Sequence, residues 1–496
     1  MTGIGAARAG IVRIGIAVSF LLAASSCVSP VATVPESERQ NISSALMRDI
    51  NILASDEFGG RKPGTEGEQR TLGFIIDELQ KAGFESGTND PGNPWRAPVR
   101  LIRTEPSESS ISFGVGSVEH EVPVELGAAF TTRQLALVEG ADVIYVGKES
   151  EDVSEELVIG KVVVMLGEPG VSPARRENLF EKQPAAIVTV IEDADAIAQL
   201  RNFAGRERFV LASEDASELS VFMTQDAVGS VLGEERWAEL RELADDDGFE
   251  PIDLTVAATI EATSQRSEFT SSNVVGRLPG TSPASGAILL LAHWDHLGDC
   301  GDEDSEDRIC NGAVDNASGI AMMIELSRRL AANGPYERDI YILATTAEES
   351  GLLGAKAFVE APAIPLDTII AAFNFDTVAV APAGSSVGFV GEGRTPLDTI
   401  ISDVMRAGRR DLGDQELAAS FIQRQDGWAL LQEGVPAVML STAFSSRISL
   451  GPYLSEHYHQ SSDEIEIIEL GGAIDDLLLH QELVMRLANT ATYPSP

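Results

Sequence analysis

Apolar positions near the start of the chain recur with a helical period. Leu72, Ile75 and Leu79 fall on one face of the segment 65–83, as the repeat of an amphipathic helix requires. A glycine at the end of that segment supplies a helix stop. A similar spacing of Leu, Ile and Met predicts a preceding helix over residues 43–54.

Beyond residue 260 the pattern changes to short, continuous apolar runs that alternate with helical segments. Such runs indicate strands that are buried on both faces. We predict strands at 287–292, 339–346, 368–374 and 436–441, with helices at 316–332 and 470–488. Asp315 would be the N-cap of the first of these helices. The alternation predicts an α/β fold with a mixed, largely parallel central sheet flanked by helices.

The middle of the chain has a different character. Short apolar strands at 141–146, 161–165 and 185–190 are separated by acidic and glycine-bearing turns, and no histidine lies between residues 121 and 292. We predict a noncatalytic, β-rich inserted domain over 131–260, which divides the catalytic domain into 39–130 and 261–496. A continuation of the catalytic sheet is the alternative, but 496 residues exceed what one core ordinarily holds.

The first 27 residues have the pattern of a targeting segment. Arg8 and Arg13 precede an apolar run at 14–24 that is too short for a stable transmembrane helix. Small residues before Cys27 resemble a bacterial lipoprotein signal, in which the cysteine carries lipid and becomes the mature N-terminus. Ordinary signal-peptide cleavage is the alternative. In both cases we expect an exported chain, in the periplasm or cell envelope, with residues 28–38 as a flexible tether.

Acidic residues dominate the charge of the chain. With 77 Asp and Glu against 36 Lys and Arg, the formal net charge is −41. This field argues against nucleic acid as a partner and against direct binding to an anionic membrane surface. A lipid on Cys27 is therefore the one membrane contact that we expect. Most of the carboxylates keep the surface solvated, while those in clefts would attract metal ions or peptide amines.

The two remaining cysteines bracket a short acidic loop. Cys300 and Cys310 are close in sequence, and in an oxidising compartment such a pair predicts a disulfide. A zinc site built on the two thiolates is the weaker alternative, because the Cys-x-x-Cys spacing is missing. The acidic residues at 302–307 lack the glycine-spaced pattern of a calcium loop and indicate a solvated loop.

Histidines and carboxylates cluster where predicted strands end, which is where open α/β sheets bind their ligands. Zinc accepts both types of side chain. Each motif alone has a plainer explanation, such as a helix N-cap or a solvated loop tip, but together they favour a two-metal hydrolase. His296 and His457 are predicted to be neighbours without a metal role. The candidate residues are His293, Asp295, Asp315, Glu348, Glu349, Asp376, Tyr458 and His459.

Adjacent acids repel each other unless a cation offsets that repulsion. In the pair Glu348-Glu349 one acid could bind a metal ion while the other takes protons from water. His293 and Asp295 lie two residues apart at a strand end, so one could bind metal while the other holds the imidazole tautomer.

The order of these motifs closely resembles that of the M28 family of dizinc peptidases, which are mostly aminopeptidases. The resemblance covers about residues 40–130 and 260–490. The middle of the chain looks like a protease-associated (PA) domain, on the residues at 143–147 and 160–165. The segments that carry the resemblance are Phe58-Gly-Gly-Arg-Lys-Pro-Gly-Thr65, Ser272-Asn-Val-Val-Gly-Arg-Leu-Pro-Gly280, Ala292-His-Trp-Asp-His-Leu-Gly298, Asp315-Asn-Ala-Ser-Gly319, Glu348-Glu349-Ser-Gly-Leu-Leu-Gly354, Asn374-Phe-Asp376 and Tyr458-His459 with Asp463.

The resemblance implies a role for each candidate residue. The metal ligands would be His293 and Asp376 on one zinc, Glu349 and His459 on the other, and Asp315 as the bridge. The remaining roles would be Glu348 as general base, Asp295 as the residue that orients His293, and Tyr458 as the group that polarises the scissile carbonyl or stabilises the oxyanion. Two metals about 3.5–4 Å apart would activate a shared water.

The resemblance therefore implies an exported aminopeptidase that acts on peptides with two Zn²⁺ per chain. Carboxypeptidases, dipeptidases and single-zinc glutaminyl cyclases are the alternatives within the family, and a noncatalytic binding module is the alternative outside it. The complete ligand set disfavours the last two. Two departures from the family affect substrate binding: the loop at 298–311 is longer, and Arg424-Gln-Asp-Gly-Trp428 replaces a common Ser-Asp-His, which leaves Asp426 as a candidate substrate-contacting or ligand-supporting residue.

Overall fold

The computed structural model describes Gly3 and residues 34–494, except 149–152, 169–171, 205, 215–217, 247 and 302–304. The predicted signal peptide at 1–27 lies outside the described residues apart from Gly3. The first helix begins at Glu36, inside the range predicted as a tether. Within the described residues, no helix combines the length and the apolar character needed to cross a membrane.

Helices occur along the whole described chain. The second and the last agree closely with the helices predicted from apolar spacing, whereas the first begins seven residues before the predicted segment 43–54. The helices are α1 (Glu36–Leu53), α2 (Glu66–Ala82), α3 (Glu155–Val158), α4 (Ser172–Phe180), α5 (Ala194–Ala204), α6 (Gln225–Leu232), α7 (Glu234–Leu243), α8 (Gly319–Asn333), α9 (Leu353–Glu360), α10 (Asp398–Ala407), α11 (Gln415–Ala419), α12 (Gly427–Gln432), α13 (Arg447–Glu456) and α14 (Leu470–Leu487).

Most of the strands belong to one large sheet. They are β1 (Glu85–Ser86), β2 (Arg96–Val115), β3 (Val118–Glu121), β4 (Gly127–Thr131), β5 (Leu135–Gly147), β6 (Val162–Leu166), β7 (Ala186–Ile191), β8 (Arg208–Leu211), β9 (Leu219–Thr224), β10 (Ile252–Leu278), β11 (Ala287–His293), β12 (Gly298–Asp299), β13 (Ile309–Cys310), β14 (Asp339–Thr345), β15 (Ile369–Asn374), β16 (Gly388–Val390) and β17 (Ala437–Ser441). Within the described residues the large sheet has 15 strands, and β12 and β13 form a separate pair.

The C-terminal half of the large sheet is mostly parallel. Its order is β16-β17-β15-β11-β14-β10, in which β11 pairs in parallel with both β14 and β15, and β15 pairs in parallel with β17. At the two ends of this order the pairing is antiparallel: β16 pairs with β17, and β10 pairs with β14. The residues of β11 and β15 are all buried, because helices cover both faces of the sheet. The prediction of a mixed, largely parallel α/β sheet is therefore confirmed.

Two long antiparallel strands connect this half to the middle of the chain. The strands β2 and β10 pair along most of their length, from Val274 beside Arg96 to Ala257 beside Gly114. A second hydrophobic core, which we call the second core, lies at their far end and includes residues from Ile111 to Ala262. It begins before the predicted domain boundary at 130/131. The unit contains helices α3–α7 as well as strands, since β5, β6, β7 and β9 pair in parallel.

The start of helix α8 differs from the prediction. The α-helix begins at Gly319, and its N-cap position is occupied by Ser318, which makes no side-chain capping bond. Asp315 lies earlier, in a π-helical turn at Ala313–Ser318, with a non-helical backbone conformation. The prediction that Asp315 is a helix N-cap is therefore wrong, because the turn directs this residue to the site described next.

Candidate active site

The carboxyl ends of three neighbouring parallel strands carry most of the candidate residues. His293 is the last residue of β11, Asp376 follows β15 by two positions, and the pair Glu348-Glu349 follows β14 in a short 3-10 turn. Since β15, β11 and β14 are adjacent in the sheet, these side chains meet at one edge. This edge is where open α/β sheets bind ligands.

Asp315 lies between two histidines. Its Oδ1 atom is 3.2 Å from Nε2 of His293, and its Oδ2 atom is 3.5 Å from Nε2 of His459. The side chain is buried, with 3% of its surface exposed. A carboxylate that presents one oxygen to each of two imidazoles has the geometry of a bridging ligand.

Each histidine is paired with a further carboxylate. Oδ1 of Asp376 is 3.7 Å from Nε2 of His293, and Oε2 of Glu349 is 2.8 Å from Nε2 of His459. The donor atoms of His293, Asp315 and Asp376 lie within 4.8 Å of one another, close enough to hold one metal ion. The structure thus brings all five predicted ligands together.

A third histidine also lies in the site, although the sequence analysis did not assign it there. Nδ1 of His296 is 2.5 Å from Oε1 of Glu349, and His296, Asp315 and Glu349 form a second group with donor atoms within 4.8 Å. His296 is buried, with 1% of its surface exposed. Its position three residues after His293 was the available signal, but that spacing does not say which side chain it contacts.

The tautomer of His293 is held by a backbone group. Its Nδ1 atom donates to the carbonyl oxygen of Asp295 at 3.2 Å, whereas the Asp295 carboxylate lies 3.9 Å away. A carbonyl only accepts hydrogen bonds, so Nδ1 carries the proton and Nε2 is free to bind a metal. The Asp295 carboxylate instead accepts the N–H of Glu348 at 3.1 Å. Asp295 therefore orients His293 through its main chain, and its side chain fixes the turn with the glutamate pair.

Burial and neighbouring charges shift the pKa values of the two adjacent glutamates in opposite directions. Burial raises the pKa of Glu348, and Asp426, Glu349 and Asp376 raise it further, so it lies well above the usual value despite His293. Burial and Asp315 also raise the pKa of Glu349, but the two contacting histidines outweigh them and hold it at about 2. The two adjacent acids thus have pKa values shifted in opposite directions.

The donor set fits divalent metal ions. Five buried or half-buried carboxylates and three imidazoles meet here, and a cation is what offsets such a concentration of negative charge. Nε2 of His459 is buried and makes no hydrogen bond within the described chain, although Glu349 lies close to it. This nitrogen and the nearby carboxylate oxygen of Glu349 are suited to coordinate the same metal ion. The carboxylates that contribute are Asp295, Asp315, Glu348, Glu349 and Asp376.

Two buried residues to which the sequence analysis assigned no role hold the backbone around the site. Arg61 donates to the carbonyl oxygens of Trp294 and Gly312, both at 2.9 Å. Asp463 accepts the N–H groups of Val314 at 2.9 Å and of Asp315 at 3.1 Å. Both residues occur in motifs of the resemblance, but their partners are far away in sequence, so their roles could not be read from the chain.

A pocket lies beside the candidate metal site. Tyr458 is part of its wall and stacks on His459 with ring centroids 3.8 Å apart. Arg424 lies at the same wall, with Nη2 3.4 Å from the hydroxyl of Tyr458. The full lining is Asp315, Glu348, Asp376, Thr377, Phe421, Arg424, Met439, Phe444, Leu450, Leu454 and Tyr458.

Asp426 does not line this pocket. It is buried, with 1% of its surface exposed, and accepts a hydrogen bond from the hydroxyl of Thr345. Burial raises the pKa of Asp426 to about 6. It therefore contacts the end of β14. Its position does not support the suggestion that it touches substrate.

The loop beside the site is closed by a covalent bond. Cys300 and Cys310 form a disulfide with their Cα atoms 5.8 Å apart, as predicted. Cys310 ends β13 and directly precedes Asn311 and Gly312, whose carbonyl oxygens accept from Arg61. The disulfide thus closes the loop that leads into the Asp315 turn.

The α/β fold and the cluster of histidines and carboxylates fit a metal-dependent hydrolase. Residues 273–476 match the profile of Peptidase family M28, and this matched segment contains all five candidate metal ligands.

Individual proteins resemble the chain over different lengths. The probable lipoprotein aminopeptidase LpqL of Mycobacterium tuberculosis is 22% identical over 450 residues, which cover 86% of this chain and 80% of that protein. A vacuolar membrane protease of Schizosaccharomyces japonicus is 35% identical over 119 residues, which cover 23% of this chain and only 13% of that protein.

A solved structure shares the fold. The aminopeptidase from Aneurinibacillus sp. strain AM-1 superimposes with a TM-score of 0.53 and 16% sequence identity, over 90% of this chain and 93% of that one. That structure therefore shares the overall fold described above.

Proposed function

We propose that this protein is an exported zinc aminopeptidase that binds two Zn²⁺ ions per chain and removes N-terminal residues from peptides. One observation carries the proposal: the Asp315 carboxylate faces His293 with one oxygen and His459 with the other. The match of residues 273–476 to the M28 profile and the names of the similar proteins, which include two aminopeptidases, support the same conclusion.

The roles of the side chains follow from their positions. His293, Asp376 and Asp315 would hold one ion, and Glu349, His459 and Asp315 the other. Zinc at this position would supply Lewis acidity toward the scissile carbonyl and lower the pKa of the attacking water.

Glu348 and Tyr458 would act directly on the substrate. Glu348 lines the pocket and binds no histidine, so it can take a proton from the attacking water and give it to the leaving amine as the peptide C–N bond breaks. The Tyr458 hydroxyl lies on the same wall and can donate to the carbonyl oxygen as negative charge develops there.

The charge of the pocket favours a free N-terminus as the group that binds. Asp315, Glu348 and Asp376 line the pocket with negative charge, which attracts an α-ammonium group. Arg424 is the cation of that wall and favours a second candidate, because a guanidinium suits the C-terminal carboxylate of a carboxypeptidase or dipeptidase substrate.

Blocked and unblocked substrates separate these two functions. We expect hydrolysis of aminoacyl p-nitroanilides and of peptides with a free N-terminus, and no hydrolysis of the same compounds after N-acetylation. Dialysis against 1,10-phenanthroline should abolish the activity and Zn²⁺ should restore it. Cleavage of N-acetylated peptides from the C-terminal end would instead identify a carboxypeptidase.

Export is tested independently of activity. The predicted lipid on Cys27 should make the full-length chain incorporate a fatty-acid analogue and fractionate with membranes, and Cys27→Ser should lose the label. A chain that is released without label after cleavage would support ordinary secretion.

A further inference from the structure

We propose that His296 is a positioning residue that holds one oxygen of Glu349 and thereby sets the affinity of the second zinc site. The inference rests on the proposed function, since it concerns the metal pair proposed there. It also revises the expectation that His296 is a neighbour without a metal role.

The two oxygens of Glu349 have different partners. Oε1 lies 2.5 Å from Nδ1 of His296, and Oε2 lies 2.8 Å from Nε2 of His459. Because Oε1 accepts from His296, only Oε2 is directed toward the space between His459 and Asp315. His296 thus prevents the carboxylate from rotating and limits it to one ligating oxygen.

The ring of His296 lies directly against the backbone of Gly312. Gly312 has a φ of +58°, and a Cβ atom there would lie 2.6 Å from Cδ2 and 2.7 Å from Cγ of His296. The Gly312 carbonyl accepts a hydrogen bond from Arg61, which helps to fix this backbone beside the ring. The ring also packs edge-to-face against His459, with centroids 5.9 Å apart.

The two ring nitrogens of His296 differ, because only Nδ1 contacts Glu349. Nε2 of His296 is buried and has no hydrogen-bond partner within the described part of the chain. Leaving a buried imidazole nitrogen without a hydrogen bond reduces the stability of the fold. The ring is nevertheless placed so that Nδ1 contacts Glu349.

His296 could otherwise be a ligand itself, since its donor atom lies within 4.8 Å of those of Asp315 and Glu349. His459 is better placed for that role. Its Nε2 atom faces oxygens of both carboxylates, at 3.5 Å and 2.8 Å, whereas Nδ1 of His296 is occupied by Oε1 of Glu349.

Zinc titration of four variants tests the inference. Metal-free protein is titrated with Zn²⁺ against a competing fluorescent chelator, which gives two dissociation constants without any peptide. In His296→Ala we expect the weaker-held zinc to bind about 10–100-fold less tightly and the other site to be unchanged. His296→Asn retains an N–H near the position of Nδ1 and should restore most of the affinity.

The controls separate positioning from ligation and from misfolding. His457→Ala should leave both constants unchanged, because Nδ1 of His457 contacts Ser462 outside the site. His459→Ala should lose the second zinc altogether. With saturating Zn²⁺, His296→Ala should recover most of its kcat, as a ligand variant would not.

The possible results are distinct. Wild-type affinity in His296→Ala would overturn the inference, and so would complete loss of the second zinc in both His296 variants, which would identify a ligand. A wild-type protein that binds two zinc ions but hydrolyses no peptide would contradict the proposed function alone. A wild-type protein that binds only one zinc ion would contradict both.

Discussion

At the scale of single residues, identical neighbours acquire opposite properties. Glu349 contacts His296 and His459, and its pKa falls to about 2. Glu348 donates its main-chain N–H to Asp295, and burial raises its pKa well above the usual value. Pairs of acids that the environment separates in this way are typical of sites where one group binds charge and the other transfers protons.

This difference predicts opposite outcomes for matched substitutions. Glu348→Gln should reduce kcat by about 10²–10⁴-fold while the zinc content stays at the wild-type value, because a proton-transfer group is removed and no ligand is lost. Glu349→Gln should lose zinc together with activity. The measurements are turnover and zinc stoichiometry of both proteins. Loss of zinc in Glu348→Gln would assign the two roles the other way round.

The sequence predicted which residues meet at the site but not all of their contacts. His293, Asp376 and the glutamate pair could be placed because each follows an apolar strand. The roles of Arg61 and His296 could not, since their partners are set by tertiary distance: Arg61 contacts a carbonyl 251 positions away, and His296 a carboxylate 53 positions away.

At the scale of elements, the turn that carries the glutamate pair is covered by a strand from the middle of the chain. Phe209 and Leu211 of β8 belong to one small core with Ala347 and Leu353, which flank Glu348-Glu349 on both sides. Strand β8 lies inside the segment predicted as a noncatalytic insertion. The packing indicates that this segment supports the catalytic turn.

Removal of the Phe209 side chain should lower both the stability of the protein and its turnover. Phe209→Ala removes a buried aromatic ring and should lower the free energy of unfolding by about 3–5 kcal/mol. It should also reduce kcat by roughly tenfold at saturating zinc, because a small displacement of a catalytic turn is costly. Phe222→Ala is the control, since Phe222 is buried to a similar extent, 8% exposed against 7%, but packs against Ala128 and Ile197. Equal kcat values at a temperature where both variants are folded would contradict the supporting role.

Apolar patterns predicted the elements better than the boundaries between units. The runs at 287–292 and 368–374 became β11 and β15 within one residue. The boundary at 130/131 is harder to read, because β2 and β10 each contribute residues both to the second core and to cores of the other half of the molecule. An alternating pattern shows that a face is buried, but it does not show which core buries it.

At the scale of the whole molecule, a net charge of −41 and a buried charge cluster make the metal-free protein sensitive to pH. Without metal, burial lowers the pKa of His459, but Asp315 and Glu349 raise it from 6.5 to about 10. Burial likewise lowers the pKa of His293, yet Glu348, Asp315 and Asp376 raise it well above 6.5. In the metal-free protein the raised pKa values therefore favour the protonated imidazoles more in the folded state than in the unfolded chain.

The sign of the resulting pH dependence follows from these shifts. A group whose pKa is raised on folding contributes stability that is complete below its unfolded value and is lost as the pH rises through its folded value. The buried His480, whose pKa burial lowers to about 4, acts in the opposite direction, but only below its ordinary value of 6.5. Above pH 7 the metal-site histidines thus dominate, and stability of the metal-free protein should fall with pH.

Thermal unfolding of metal-free and zinc-loaded protein at pH 7 and pH 9 tests this dependence. The midpoint of the metal-free protein should fall by a few degrees, on the order expected for a change of one or two kcal/mol. That of the zinc-loaded protein should change less, because zinc binds the deprotonated imidazoles and its affinity rises with pH. Asp315→Asn removes the carboxylate that lies 3.2 Å from His293 and 3.5 Å from His459, so its metal-free midpoint should depend less on pH than that of the wild type. A metal-free midpoint that rises between pH 7 and pH 9 would show that the two histidines are neutral in the folded protein.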